Sequence, residues 1–164
     1  MPDDYVNTFV AEDRERLFRL LALFARWESA LKRTGFVSAG QYGQAEANWN
    51  TFADAVEAKV AALKDSTFTK ARDYLLTKPP RRLCVENNHL VWRNNPRRQN
   101  ETDARYFFRV VRDVRNNLFH GGKYQGGPEA ELARDRQLID CVAIVLEVAI
   151  DLDPRIRNVF EEVS

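Results

Sequence analysis

At 164 residues, with 45% apolar and 30% charged residues and only 7 Gly and 6 Pro, the chain has the balance of one folded domain over residues 1–164, not of a disordered or fibrous protein. It has no run of about 18 uncharged apolar residues, and Met1-Pro2-Asp3-Asp4 lacks the basic-then-apolar pattern of a secretory signal, so a cytoplasmic protein with no membrane partner is expected. The net charge of +1 conceals a strong asymmetry: residues 69–123 hold 13 Lys+Arg against 5 Asp+Glu. Such a block suits an anionic partner, or else pairs with the acidic remainder of the fold or of a dimer.

In chain order, Leu17, Leu20, Leu21, Phe24, Trp27 and Leu31 recur at three-and-four spacing, which predicts a long helix from about Val10 to Thr34, ended by Gly35. After a loop containing Gly40 and Gly43, a second helix is expected from Glu46 to Leu63, with Trp49, Phe52, Val56, Val60 and Leu63 as its buried stripe. A shorter helix over Thr67–Thr77 stops before Pro79-Pro80, because a residue preceding proline is pushed out of helical geometry.

Leu83-Cys84-Val85 and Leu90-Val91-Trp92 flank the turn Glu86-Asn87-Asn88-His89, which reads as a small β-hairpin over residues 83–92. Cys84 and Cys141 have no metal-like spacing with histidine and are expected to be buried free thiols.

Asn100-Glu101-Thr102-Asp103 offers a cap and first-turn acids to a helix over Thr102–Phe119, which Gly121-Gly122 ends. After Gly126-Gly127-Pro128 an apolar helix from Ala130 to Asp151 should lie deep in the core, and a last short helix begins with Asp153 as cap and Pro154 at its first position. The sum is an all-α chain, an antiparallel bundle of four to five helices.

The helix before Gly121 has two chemically distinct faces. Phe107, Val110, Val111, Val114 and Leu118 fall on one side at about 100° per residue, and Arg105, Arg109, Arg112 and Asn116 on the other, with Arg115 at its edge. Like charges at this spacing repel by a few tenths of a kcal/mol per pair, so acids such as Glu28, or phosphates of a ligand, are needed to offset them. His120 follows where the helix breaks. Neighbouring cations favour its neutral form, suited to general base work near pH 7; a helix-end cap on the last carbonyls is the alternative role.

Arg115-Asn116 followed by His120, with a polar residue directly after the Arg, resembles the Arg, four-to-six-residue spacer, His signature of HEPN domains. The resemblance is carried by residues 115–120 and by their place at the end of a basic amphipathic helix, and it extends more loosely over residues 10–150. It implies a HEPN-like bundle and a homodimer with two facing motifs. It also implies a metal-independent endoribonuclease of a toxin, antiviral or CRISPR-associated system, needing no cofactor. On that resemblance Arg115 and His120 are catalytic, and Asn116 orients one of them. RNA would then run along Arg105, Arg109, Arg112 and Lys123, with a second track on Arg81, Arg82, Arg93, Arg97 and Arg98 and with Trp92 or Tyr124 as a base-stacking surface, while an antitoxin or regulatory protein is a further partner.

Toxins of this type that pair with a nucleotidyltransferase antitoxin carry Tyr two residues beyond the His. Here Gly122 stands there and Tyr124 lies four beyond. His89 reads as a turn residue. The competing functions are a HEPN module that binds RNA, nucleotide or protein without cutting, and a helical interaction protein whose arginines pair with a partner's acids.

Overall fold

The computed structural model describes residues 11–119 and 129–162. The described chain is mostly helical: α1 (Ala11–Arg33), α2 (Trp49–Ala62), α3 (Ser66–Thr77), α4 (Asp103–Phe119), α5 (Glu129–Ala149) and α6 (Pro154–Glu161), with a 3-10 turn at Ile150–Leu152. Two small antiparallel hairpins interrupt the helices, β1 (Val37–Ala39) with β2 (Ala45–Ala47) and β3 (Arg82–Glu86) with β4 (His89–Arg93).

The periodicity of α1 translates directly into burial. Leu20, Phe24, Trp27 and Leu31 are buried, whereas Leu21, counted on the same stripe, is 45% exposed. Trp27 anchors the core: it stacks on Trp49 of α2 at 5.8 Å and meets Phe52 and Phe160 edge-on. Such aromatic pairs contribute about 0.5–1.5 kcal/mol each beyond the area they bury. Its indole N–H is not stranded, since it donates to the Leu146 carbonyl of α5 at 3.0 Å. Burying that nitrogen unpaired would forfeit part of the gain.

Helix α5 supplies Leu138, Val142, Val145, Leu146 and Ala149 to the same core, packs against α1 and α3, and has the depth its composition predicts. Helix α2 packs against α4. It starts at Trp49, not Glu46, because residues 45–47 pair with residues 37–39 as a strand, and Asn48 caps the helix by accepting from the Thr51 N–H. The first hairpin was not expected from the sequence. The second was, and its turn is built by Asn87 and Asn88 at φ of 49° and 63°, the left-handed pair that matches strand twist. At the chain end Asp153 accepts from the Arg155 N–H and Pro154 opens α6, as expected.

Both cysteines are free thiols; Cys141 is buried, while Cys84, in the two-stranded β3–β4 hairpin, is only half-buried. No helix among the described residues is long and apolar enough to cross a membrane.

Candidate functional site

Helix α4 carries the residues of interest, and α2 fixes where it starts. Thr102 accepts from the Arg105 N–H, and Glu57 of α2 accepts from the Thr102 hydroxyl at 2.7 Å and from the Ala104 N–H at 3.2 Å. A carboxylate from a neighbouring helix thus satisfies donors that the first turn leaves open and complements its positive end. Ala104, Phe107, Phe108, Val110, Val111 and Val114 then turn inward.

The four arginines of α4 meet four different environments. Arg105, on the exposed rim, forms a two-pronged pair with Asp54 of α2, with Nε at 2.6 Å from Oδ1. Arg109 is only 7% exposed and is saturated: Glu101 accepts from Nε at 2.7 Å and from an Nη at 2.9 Å, and Asn95, the Pro96 carbonyl and Asp113 take the remainder. The arginine expected to face solvent is a buried strut. Its pairing holds the Glu101 carboxyl below the usual range against the opposing effect of burial.

Arg115 turns to another side. It donates to Glu28 of α1 at 2.8 Å, and its guanidinium carbon lies 5.2 Å from the centre of the Phe24 ring, while its Nε is buried without an acceptor. Glu28 was named from sequence as a counter-charge for this helix. Asn116 lies elsewhere: together with Arg112 it lines a polar cavity of about 510 Å3 between α4, the chain before it and the second hairpin. No hydrogen bond joins Arg115 and Asn116 among the described residues. Asn117, whose role the sequence does not reveal, donates to the Arg81 carbonyl at 2.7 Å and ties α4 to the start of β3.

Of the second arginine track, Arg93 is paired with Glu86 across the hairpin, and Arg97 donates to the Glu101 carbonyl at 2.8 Å and to Asp103 at 2.5 Å. Arg82 and Arg98 are exposed and border the cavity that Arg112 enters. His89 begins β4 opposite Glu86 and is exposed. His120, Lys123 and Tyr124 lie outside the described residues. Among those described, no three His, Cys, Asp or Glu side chains converge as a metal site.

The acids that neutralise this helix, apart from Glu28, escape a reading of the sequence. Asp54 and Glu57 are three residues apart on the polar side of α2, a spacing that marks a face able to meet a basic helix. Comparison with protein-family models, curated proteins and solved structures yields no match.

Proposed function

We propose that the chain is a metal-independent endoribonuclease of the HEPN type that acts as a toxin or defence component. The observation that carries the reading is the Arg115-Asn116 and His120 spacing at the end of amphipathic α4, in a chain whose described residues are mostly helical. In this reaction the ribose 2′-hydroxyl attacks the adjacent phosphorus and the bond from phosphorus to the 5′-oxygen breaks. His120 takes the 2′-hydroxyl proton or supplies one to the leaving oxygen, and Arg115 stabilises the charge that builds on the phosphoryl oxygens. The products are a 2′,3′-cyclic phosphate and a 5′-hydroxyl, so DNA, lacking the 2′-hydroxyl, is not cut. A homodimer brings two motifs to one cleft, and an antitoxin or regulatory protein restrains them.

The Arg115–Glu28 bond favours a second reading, a HEPN module that binds RNA, nucleotide or protein without cleaving, because a guanidinium already held by a carboxylate has less to offer a phosphoryl group.

Purified protein incubated with labelled RNA in EDTA separates the two. Cutting that disappears in Arg115→Ala and His120→Ala supports the ribonuclease. RNA left intact across several substrates, but bound in a salt-sensitive manner, supports the binding module, and cutting only with added metal overturns the proposed chemistry.

A further inference from the structure

The polar cavity beside α4 is lined by five arginines and two carboxylates, and the pairing within it is uneven. Arg105 is neutralised by Asp54 and Arg109 by Glu101, whereas Arg82, Arg98 and Arg112 form no ion pair with a described residue. For the exposed Arg82 and Arg98 this costs little, since water solvates them. Arg112 is half-buried, and its Nε is sealed from solvent without an acceptor.

The surrounding acids do not complete it. None of them bonds Arg112: Asp113 accepts through Oδ2 from Asn95 at 2.7 Å and Arg109 at 3.3 Å, Glu28 through Oε1 from Arg115, and Glu101 through both oxygens from Arg109. Burial is the main influence on Arg112 and weakens its hold on its proton; attraction to Asp113 and Glu28 outweighs the repulsion of Arg115 and Arg98 but does not make up for the lost solvation. A partly desolvated cation that no carboxylate bonds directly is destabilising, and an orphaned buried donor calls for a partner from outside the described residues.

We propose that this cavity is a binding site for a phosphate monoester, with the Arg112 guanidinium as anchor, Asn50 and Asn116 as neutral donors, and Arg82 and Arg98 at the mouth. A planar guanidinium offers phosphate two parallel hydrogen bonds. Three unpaired cations suit a dianion with three free oxygens better than a diester with one charge and two. The cavity, at about 510 Å3, has the size of a small-molecule site, yet no aromatic or aliphatic residue lines it. A nucleobase finds no stacking surface there, so recognition falls on the phosphoryl group. The site shares Asn116, Arg112, Arg82 and Arg98 with the ribonuclease reading, but the inference needs neither His120 nor bond cleavage and stands or falls on phosphate binding alone.

Thermal unfolding and titration calorimetry on the full chain test it, with inorganic phosphate, uridine 5′-monophosphate, uridine, and a short RNA with 5′-hydroxyl ends as probes at ionic strength matched with chloride. Phosphate and the monophosphate raise Tm and uridine does not. Arg112→Gln weakens phosphate binding at least tenfold while raising Tm in the absence of phosphate, because a partly desolvated charge is gone. Arg98→Gln, at an exposed position that leaves the fold intact, weakens binding severalfold, and Arg157→Gln on α6 leaves it unchanged. A Tm rise that chloride reproduces, or binding indifferent to both Arg112→Gln and Arg98→Gln, overturns the proposal. Arg112-dependent binding of the 5′-hydroxyl RNA that excess phosphate does not displace overturns it in favour of an internal phosphodiester.

Discussion

Arg109 donates to both carboxylate oxygens of Glu101, at 2.7 and 2.9 Å, with both side chains at or below 10% exposure. The pair fastens the segment before α4 to the helix itself, and Asn95 and the Pro96 carbonyl join it. Removing one partner strands the other in a dry environment, so Arg109→Ala should cost about 3–5 kcal/mol, whereas the double replacement Arg109→Met with Glu101→Leu should come close to neutral. Urea midpoints of the three proteins measure this. A single variant as stable as the parent would show the pair to be idle.

The same pair sets part of the acid response. Its hydrogen bond to Arg109 is the main cause of the lowered Glu101 pKa, and the lowered values of Asp153 and Asp13 come chiefly from their bonds to Arg155 and Arg136. A carboxyl whose folded pKa lies below its unfolded one contributes stability that is complete above the unfolded value and is lost as pH falls through the folded value. The unfolded reference for Glu101 is near 4.5, so stability should hold above it and decline below it. Unfolding free energy followed from pH 6 to 2 should fall less steeply in Glu101→Gln than in the parent, from a lower starting level.

Glu28 holds Arg115 at 2.8 Å, with 27% of the Arg115 and 29% of the Glu28 side chain exposed. Pairs this accessible contribute up to about 1 kcal/mol, so Glu28→Ala should change stability little. Under the proposed ribonuclease reading, in which Glu28 aims Arg115 and does not occupy it, the larger effect should be on RNA cleavage. With Arg115 no longer positioned, kcat for RNA cleavage should drop about ten- to a hundredfold while KM changes less. Glu28→Gln keeps an oxygen acceptor and should recover part of the loss. Unchanged kcat in Glu28→Ala would remove Glu28 from the reaction.

How much was legible beforehand depended on the range over which each feature is determined. Leu20, Phe24, Trp27 and Leu31 declare α1 because period and burial are both local to the helix, and Asp153-Pro154 declares α6 in the same way. The strands at residues 37–39 and 45–47 are short and largely exposed, and no alternation marks them; their pairing shows only with the Asn48 N–H bonded to the Phe36 carbonyl beneath α1. The arginine face of α4 was visible as a pattern, but its meaning was not. Arg105 meets Asp54 across 51 residues, a distance over which spacing rules are silent, and Glu28, an expected counter-charge, selects Arg115 among the four arginines only once the fold brings them together across 87 residues. Even Arg109, paired eight residues away, reads as exposed until the loop before α4 folds back over it.

The β3–β4 turn offers a test on a feature that both sequence and structure define. Asn87 and Asn88 adopt φ of 49° and 63° between the paired residues Glu86 and His89, a conformation that disfavours a side chain at both positions and that glycine adopts without strain. Asn88→Gly should therefore stabilise the hairpin by a few tenths to about 1 kcal/mol, and Asn88→Val should destabilise it by more, because a branched Cβ clashes in the left-handed region. The global midpoint is a poor reporter, since an exposed hairpin opens locally before the core unfolds. Amide exchange within β3 and β4 reports the local equilibrium, and protection should rise in Asn88→Gly and fall in Asn88→Val. The reverse order would mean that the turn holds its residues by side-chain bonds, with the left-handed backbone a consequence and not the cause.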